Sequence, residues 1–503
     1  MKQAVNNIFN VCFLIVSILI FEAAFSQMII QSFVAGLLVI PAVALFLFIC
    51  IKKTDFLEKI NYKKAWLVLR LISFALMTVT AFSLEVDFSW DWGGLINTAY
   101  NYIKTAKIDK LYYYARYPNN QFWLLCMVSL FKFIKLFVGD ADIAVFKHVT
   151  MVVSIVILQF AVEFIYRSAK VIFSPMKAFF AGIITLFCSP LYLYAEFLYT
   201  DIPCVLTVSI MMFLYFKMQK AENVKSKIIL YVLFGITGAF SYFVKITSFI
   251  VFVAILIGMI FTEIKFKQFV CFFLVSVTIF SATVTAVSLA AKPIYKNKFG
   301  ITEELQKKNE FPPTHWIMMG LGYGGYLQKD VNYTAGFETY HEKEEATKKE
   351  IGKRVDNYGF FGFLKHTFSD KVIRTFGSCT LDGSFYAGRE AIHTKGIFTR
   401  LLTWHGDLYL ISLVFFWIYY IFIMLGLLFL SIESLKKKKS TTNQILLAGR
   451  IAIFGIFNFM LIWECNSRYL LVFVPVMILL ATDGLSHFVN TFKKYLNLKK
   501  ELR

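Results

Sequence analysis

The feature that most constrains this chain is a series of thirteen apolar runs, most of them long enough to cross a bilayer. A helix needs about 20 apolar residues to cross the hydrocarbon core. The runs lie near 8–26, 30–51, 65–85, 121–138, 143–166, 177–196, 201–217, 228–244, 246–263, 269–290, 407–430, 445–464 and 469–489. They are continuous, whereas the strands of a β-barrel alternate apolar and polar residues. We therefore expect an all-α polytopic membrane protein.

Charge and cysteine content narrow the function classes. The formal net charge of +20 is large enough to suggest nucleic-acid binding. However, Lys and Arg cluster in short segments between apolar runs, which is the orientation signal of membrane insertion. These segments lie near 52–64, 167–177, 217–227, 265–267, 436–439 and 493–503. We expect the lipid bilayer as a partner and no nucleic acid, and the scattered cysteines predict neither a disulfide framework nor a metal site.

The run 121–138 decides the topology. If all thirteen runs cross, the basic segments divide between the two sides, but if this run does not cross, all of them lie on one side. It also carries Lys132 and Lys135, and a charge at the bilayer centre costs about 2.5–3.5 kcal/mol. We therefore predict a helix lying in the outer interface, which leaves about twelve spans with both termini cytoplasmic.

This topology divides the chain into four parts. Residues 1–64 form two spans and a basic cytoplasmic loop, and 65–290 form a core that includes a first outer loop, 86–142. Residues 291–406 form a large extracytoplasmic loop, and 407–503 form three spans and a basic tail. The topology also places Asp201, Lys245 and the turn 464–469 on the outer face, together with the two loops.

Asp87 and Asp91 are the first candidates for chemistry, because they follow the third apolar run at the mouth of a span. An ionisable group at membrane depth is costly and is retained mainly where it pairs or reacts. Their functional interpretation is a general base or a metal ligand. The structural alternative is that Asp91 caps an amphipathic helix that starts at Trp92. The residues alone leave both interpretations open.

The segment Arg116-Tyr117-Pro118-Asn119-Asn120 is the second candidate. Proline ends any preceding helix, and either asparagine can cap the helix that follows. The arginine and the two amides could also face a phosphate, and the tyrosine could form part of a platform for a sugar or a lipid head group.

Further candidates lie in the other outer turns. Asp201 is either a helix cap or a second carboxylate of the site. Lys245 and Arg468, which is followed by Tyr469, are cations on the outer face, where the inside-positive pattern does not place them, so they could clamp a lipid phosphate. His315 opens the large loop close to the membrane, where a structural role is the alternative.

The order of these motifs resembles the GT-C superfamily of multispan glycosyltransferases, which use polyprenyl-phosphate sugars and include protein O-mannosyltransferase and aminoarabinose transferase relatives. The resemblance covers roughly 65–290 and 440–490. The stretches that carry it are DWGGLINTA at 91–99, RYPNN at 116–120, TD at 200–201, Lys245 and the E…SRY turn at 464–469. Unlike the family pattern, two apolar runs precede the span of the catalytic loop.

The resemblance implies a residue-by-residue assignment. Asp91, or failing that Asp87, is similar to the aspartate that acts as catalytic base, and Asp201 to a second acidic residue. Arg116, Lys245 and Arg468 look like contacts of the donor phosphate. Neither Asp87 nor Asp91 belongs to an Asp-x-Asp, so the metal requirement stays open, with a divalent cation as one option and no other cofactor implied.

The function that follows is transfer of a sugar from a polyprenyl-phosphate donor to an acceptor hydroxyl on the outer face of a bacterial plasma membrane. The acceptor class, whether lipid, glycan or protein, stays open. Two alternatives share the spans and the loops: a flippase or transporter of lipid-linked sugars, and a polymerase or ligase of cell-envelope glycans. The placement of the candidate charges at span ends, and not at mid-membrane, favours surface chemistry.

Overall fold

The computed structural model describes residues 2–52, 59–262, 265–436 and 441–501. These residues are overwhelmingly helical, and the described ranges hold one isolated antiparallel bridge, between Val86 and Ala391, and no β-strand. Parts of the basic segments (53–58, 437–440 and 502–503) lie outside the described residues. The all-α fold predicted from the apolar runs is confirmed.

Twenty-four α-helices form the described structure. The first thirteen are α1 (Lys2–Gln31), α2 (Phe33–Lys52), α3 (Tyr62–Leu84), α4 (Trp90–Thr105), α5 (Leu111–Arg116), α6 (Gln121–Val138), α7 (Ile143–Ile172), α8 (Pro175–Leu186), α9 (Ser189–Leu193), α10 (Asp201–Lys220), α11 (Val224–Val244), α12 (Ile246–Ile260) and α13 (Phe266–Pro293). The others are α14 (Glu303–Asn309), α15 (Pro313–Gly320), α16 (Gln328–Ala335), α17 (Tyr340–Lys365), α18 (Lys371–Phe376), α19 (Gly383–Gly388), α20 (Ile397–Leu402), α21 (Tyr409–Ser434), α22 (Thr441–Ile445), α23 (Leu447–Ile462) and α24 (Val474–Glu501).

The thirteen apolar runs are mainly helical. By length and composition alone, ten of the described helices could cross a membrane, and three apolar helices, Phe33–Ile49, Pro175–Leu186 and Ile246–Ile260, are shorter. The burial of the ten varies widely: 89% of the most apolar stretch of Ser467–Tyr495 is buried, against 11% for Phe266–Phe299. The last span is therefore central, and α13 is peripheral with most of its surface available to lipid.

Contacts between helix ends define one end of the bundle, called the loop end below. The last turn of α3 meets the first turn of α7 and the connection that precedes α10, and the last turn of α11 meets the first turn of α10. The contacts are Glu85 with Lys147, Val86 with Glu196, and Lys245 with Asp201. The first outer loop and the turn between α11 and α12 therefore lie at the same end.

Helix α6 is one of the ten helices long and apolar enough to cross a membrane, and it contacts two turns of the loop end. Near its start, Phe122 stacks on Phe243 in the last turn of α11, with ring centroids 4.9 Å apart. Farther along, Phe131 packs on Phe146 in the first turn of α7 at 5.1 Å. Both of these turns belong to the loop end, so α6 runs from one to the other instead of following either helix along its length. The exposed Lys132 is compatible with this orientation.

The large loop packs on the loop end as a set of short helices around α17. A capping box of Thr339 and Glu342 starts α17. Arg354 of α17 forms a buried ion pair with Asp330 of α16 at 2.7 Å. The backbone N–H of Cys465 donates to the carbonyl of Gly324 at 2.7 Å. This bond joins the glycine-rich stretch 320–325 to the turn that precedes α24.

Candidate functional site

The centre of the candidate site is a buried group of charges around Asp201. The ammonium of Lys245 pairs with its Oδ1, and Nε of Arg468 lies 3.6 Å from its Oδ2. The three side chains are almost inaccessible to solvent. One carboxylate facing two cations leaves an excess of positive charge, which favours binding of an anion where water is excluded.

Asp201 is the first residue of α10, and Thr200 occupies the cap position without a side-chain hydrogen bond. The interpretation of Asp201 as a helix cap is therefore wrong, because its carboxylate is taken up by the two cations. The predicted neighbour of Arg468, Tyr469, belongs to the same group: its ring centroid lies 4.4 Å from Nζ of Lys245. The aromatic face stabilises the ammonium where water cannot reach it.

Three aromatic rings surround the guanidinium of Arg468. Its Cζ lies 4.7 Å from the ring centroid of Trp90, 5.4 Å from that of Tyr199 and 5.0 Å from that of Tyr386. Trp90 has a φ of +43°, a region that a bulky L-residue rarely adopts. This strained backbone turns the indole onto the arginine at the start of α4, next to Asp91.

Asp91 lies in the first turn of α4 with its side chain exposed, and its charge acts on the nearby hydroxyl of Tyr113. It lines a narrow recess together with Tyr199 and Trp123, among others. The cap position of α4 is Ser89, two residues earlier, so the capping interpretation of Asp91 is wrong. The carboxylate is instead directed at the recess, one residue from the tryptophan that covers Arg468.

The acidic groups around Asp91 have raised pKa values. Burial raises the pKa of Tyr113 and of Tyr199 well above the ordinary value, and the charge of Asp91 adds to the effect. Burial also raises the pKa of Glu464 to about 7, with Arg468 acting against it and Asp91 adding to it. These three neighbours of Asp91 therefore hold their protons more tightly than the same groups do in water.

Glu464 was not among the residues predicted from the sequence as site residues. It is 5% exposed and lies in the turn between α23 and the 3₁₀-helix Ser467–Phe473. An acidic residue directly after an apolar run is a usable signal, the same one that singled out Asp87 and Asp91. Trp90, Tyr199 and Tyr386 carry no such signal, because aromatic residues at span ends are common in membrane proteins.

Arg116, Tyr117 and His315 form a second group beside the first. The guanidinium of Arg116 lies 5.0 Å from the ring centroid of Phe311, and Tyr117 packs edge-on against the same ring at 5.9 Å. Burial raises the pKa of Tyr117 to about 12, which Arg116 opposes. Within the described ranges Arg116 forms no salt bridge, and its Nε is buried without a hydrogen-bond partner, so its charge is available to a ligand.

His315 is fully buried within this second group. Its Nδ1 lies 2.7 Å from the hydroxyl of Thr334, and its Nε2 has no hydrogen-bond partner among the described residues. Burial lowers its pKa to about 4, so the imidazole is neutral at physiological pH. It packs against Phe311 at 4.4 Å. The contacts are those of a structural core residue, the alternative left open by the sequence.

The structure does not bring Asp87 or Asn119 into the central group. Asp87 is exposed, its carboxylate accepts the N–H of Phe88 at 2.7 Å, and its own N–H donates to Glu390. Asn119 donates only to Asn120, at 3.3 Å. The prediction that an asparagine side chain caps α6 is wrong, because Asn120 occupies the cap position without a side-chain hydrogen bond to the helix. The amide of Asn120 instead donates to the hydroxyl of Tyr113 at 2.9 Å and so supports a neighbour of Asp91.

Metal binding was left open by the sequence. Within the described ranges, no group of three or more His, Cys, Asp or Glu side chains is arranged to hold an ion. The chemistry of the site is therefore considered below in terms of its carboxyl, phenol and cationic side chains.

The fold and the site together define a polytopic helical membrane protein with a buried, cation-rich site at one end of its bundle. The family model described as "conserved hypothetical integral membrane protein" matches residues 1–487, and the chain belongs to that family. No curated protein matches the sequence.

Two solved structures are similar in outline. The crystal structure of ArnT from Cupriavidus metallidurans bound to undecaprenyl phosphate has 12% sequence identity and a TM-score of 0.35, over 84% of this chain and 78% of that one. The apo form of the same protein has 11% identity, the same coverage and the same TM-score. A TM-score of this size does not establish a shared fold, so the functional argument is built from the site alone.

Proposed function

We propose that the protein is a membrane glycosyltransferase that moves a sugar from a polyprenyl-phosphate donor to an acceptor hydroxyl. The observation that supports the proposal is that a buried cationic group and an exposed carboxyl group lie close together at the loop end. Lys245 and Arg468 share the single carboxylate of Asp201 in a buried setting, and the exposed carboxylate of Asp91 lies one residue from Trp90, which packs on Arg468. A cationic subsite beside an exposed carboxyl group suits cleavage of a phosphate ester by an incoming hydroxyl.

In the proposed reaction, Asp91 is the general base. Its carboxylate accepts the proton of the acceptor hydroxyl, and the oxygen of that hydroxyl forms a bond to the anomeric carbon of the donor sugar. The bond between that carbon and the phosphate oxygen breaks, and the electron pair leaves with the lipid phosphate. Tyr113 lines the same recess as the base, and the amide of Asn120 fixes its hydroxyl by a hydrogen bond. A positioned base contributes about 10²–10⁴-fold to such a transfer.

The cations are assigned to the leaving group. A lipid phosphate gains negative charge as the sugar departs, and Lys245 and Arg468 would stabilise that charge in a place from which water is excluded. The aromatic rings around Arg468 keep the guanidinium oriented without neutralising it. Arg116 belongs to the second group, where it lies beside Phe311. From this position it would contact the donor.

The proposed location is the outer face of a bacterial plasma membrane. The support is that α6 contacts two turns of the loop end, because a helix lying across that end leaves the basic segments of the chain on the opposite side. In this topology the site meets the outer leaflet, where a polyprenyl chain can remain in the bilayer while its phosphate enters the cationic subsite.

Binding of the lipid phosphate tests the proposal without knowledge of the sugar. Purified protein is mixed with polyprenyl phosphate and the complex is measured by native mass spectrometry for wild type and for Arg468→Gln. We expect the substitution to weaken binding by about tenfold or more, since a buried charge-assisted contact contributes roughly 1.5–3 kcal/mol. Arg400→Gln is the matched control, because Arg400 lies in the large loop and pairs with the exposed Asp407.

Equal binding by wild type and Arg468→Gln would contradict the assignment of this arginine to the phosphate. Equal losses in Arg468→Gln and Arg400→Gln would show that any loss of positive charge weakens binding, and this would also contradict a defined subsite. Thermal unfolding of each variant, followed in the same detergent, separates loss of binding from loss of the fold.

A further inference from the structure

The stretch 359–365, with the sequence GFFGFLK, is an exposed apolar protrusion at the end of α17 and is called the aromatic hook below. Phe360 and Phe361 are 72% and 83% exposed, more than any other large apolar side chain in the described part of the large loop. Paired aromatic rings at such exposure are unusual outside a contact with a membrane or a protein.

The hook is held at its base by hydrogen bonds. The ring of Tyr358 stacks on that of His366 with centroids 4.7 Å apart. The hydroxyl of Tyr358 donates to the carbonyl of Gly322 at 3.0 Å, and Nε2 of His366 donates to that of Gly320 at 2.9 Å. Gly359, with φ +58°, turns the chain away from α17. The phenylalanines are therefore directed outward by a defined backbone path.

The chain that follows the hook leads directly to a surface that faces lipid. Helix α18 and the turn before it contact α1, and Gly377 lies against Gln27 in the last turns of α1. The hairpin between α1 and α2 exposes Ile30 and Phe33, by 71% and 65%. Because α1 is one of the helices long and apolar enough to span, this side of the bundle is where the leaflet at the loop end meets the protein.

Charge around the hook fits the head-group region of that leaflet. Lys365 ends the hook and Lys353 lies two turns before it on α17, and both are exposed. An apolar tip with flanking lysines is the pattern of segments that insert into the interface, where rings enter the acyl boundary and ammonium groups reach lipid phosphates. If the hook instead bound a second copy of this chain, we would expect an apolar contact surface without flanking lysines.

We propose that the aromatic hook inserts into the membrane leaflet at the loop end and anchors the large loop to the bilayer. The hook is joined through Tyr358 to the glycine-rich stretch 320–325, which bonds to Cys465 in the turn beside the candidate site. Insertion would therefore hold this wall of the site at a fixed depth relative to the lipid. The proposal does not depend on the reaction that the site carries out.

Photocrosslinking from the hook tests the insertion. Phe361 is replaced by p-benzoylphenylalanine in full-length protein, reconstituted in nanodiscs of phosphatidylethanolamine and phosphatidylglycerol, and lipid adducts are measured by mass spectrometry after irradiation. Tyr340 and Val355 are the matched control positions, because both are exposed aromatic or apolar residues of α17 before the hook. We expect about tenfold more lipid adduct at position 361 than at either control.

Lipid adducts at position 361 that do not exceed those at 340 and 355 would overturn the proposal. So would crosslinks from position 361 to a second copy of the chain in place of lipid. The same substitution at Phe360 gives an independent reading if the first variant does not fold, and the proposal requires lipid adducts there as well.

Discussion

At the scale of single residues, Glu464 shows how burial changes the chemistry of a carboxyl group. Its side chain lies among the charges of Arg468, Asp91 and Lys245, and burial is the strongest influence on it, raising its pKa to about 7. The folded protein holds this proton up to about pH 7, whereas the unfolded chain releases it near the ordinary value of 4.5. The contribution of Glu464 to folding stability therefore falls as the pH rises through this window.

The variant Glu464→Gln should remove this pH dependence, because the amide does not titrate. Relative to the variant, wild type should lose stability on the order of 1 kcal/mol between about pH 6 and pH 8. Thermal unfolding at the two pH values is the measurement. An unchanged difference in the variant would show that another group is responsible. His315 acts in the opposite direction, because the folded imidazole, with a pKa of about 4, is already neutral while the unfolded one still releases its proton near 6.5. This contribution is the same in wild type and in the variant, so the comparison between them isolates Glu464.

The sequence identified most of the residues of the central group but not their interactions. Asp201, Lys245 and Arg468 stood out because charges at span ends are costly and need partners. The cap interpretation of Asp201 was wrong because its partners are distant in sequence, and a local rule cannot identify them. Glu464 was missed although it directly follows an apolar run, because the burial that raises its pKa comes from residues of other segments.

At the scale of elements, the aromatic hook depends on one backbone conformation. Gly359 has a positive φ, which costs an alanine roughly 1–2 kcal/mol, whereas Gly352 lies in the regular part of the same helix with open space around it. Gly359→Ala should therefore destabilise the large loop by about 1 kcal/mol, and Gly352→Ala should be neutral or stabilise it. Limited proteolysis of the two variants measures the difference, and equal resistance would contradict the strained turn.

The orientation of α6 gives a second prediction at this scale. Asn119 precedes the helix and Leu136 lies near its end, and both are exposed. If α6 lies across the loop end, cysteines placed at both positions should react with a membrane-impermeant thiol reagent added to the same side of sealed vesicles. Labelling from opposite sides would show that the helix crosses. The parent chain gives the background from its native cysteines.

Element positions followed from the sequence more closely than their orientation did. The thirteen apolar runs are mainly helical, because an apolar run in lipid must satisfy its own backbone hydrogen bonds. The run 177–196 is divided between α8 and α9. The prediction that the run 121–138 does not cross was based on its two lysines and on the distribution of the basic segments. Its contacts with the ends of α7 and α11 could not be predicted from its composition. The packing of the large loop was likewise beyond the sequence, since it depends on pairs such as Arg354 with Asp330.

At the scale of the whole molecule, the site is assembled from distant parts of the chain. The first outer loop contributes Asp91 and Trp90, the start of α10 contributes Asp201, and the turns at 245 and 464–469 contribute the cations. The glycine-rich stretch of the large loop closes one side. A site built this way forms only when the spans are assembled, so its chemistry is tied to the integrity of the bundle at the membrane surface.

The most direct test of the account is the rate at which free lipid phosphate appears from polyprenyl-phosphate sugars with wild type, Asp91→Asn and Asp87→Asn. The account predicts a loss of about 10²–10⁴-fold for Asp91→Asn with an unchanged unfolding temperature, and little change for Asp87→Asn, whose side chain lies outside the central group. Wild-type rates in Asp91→Asn would contradict it.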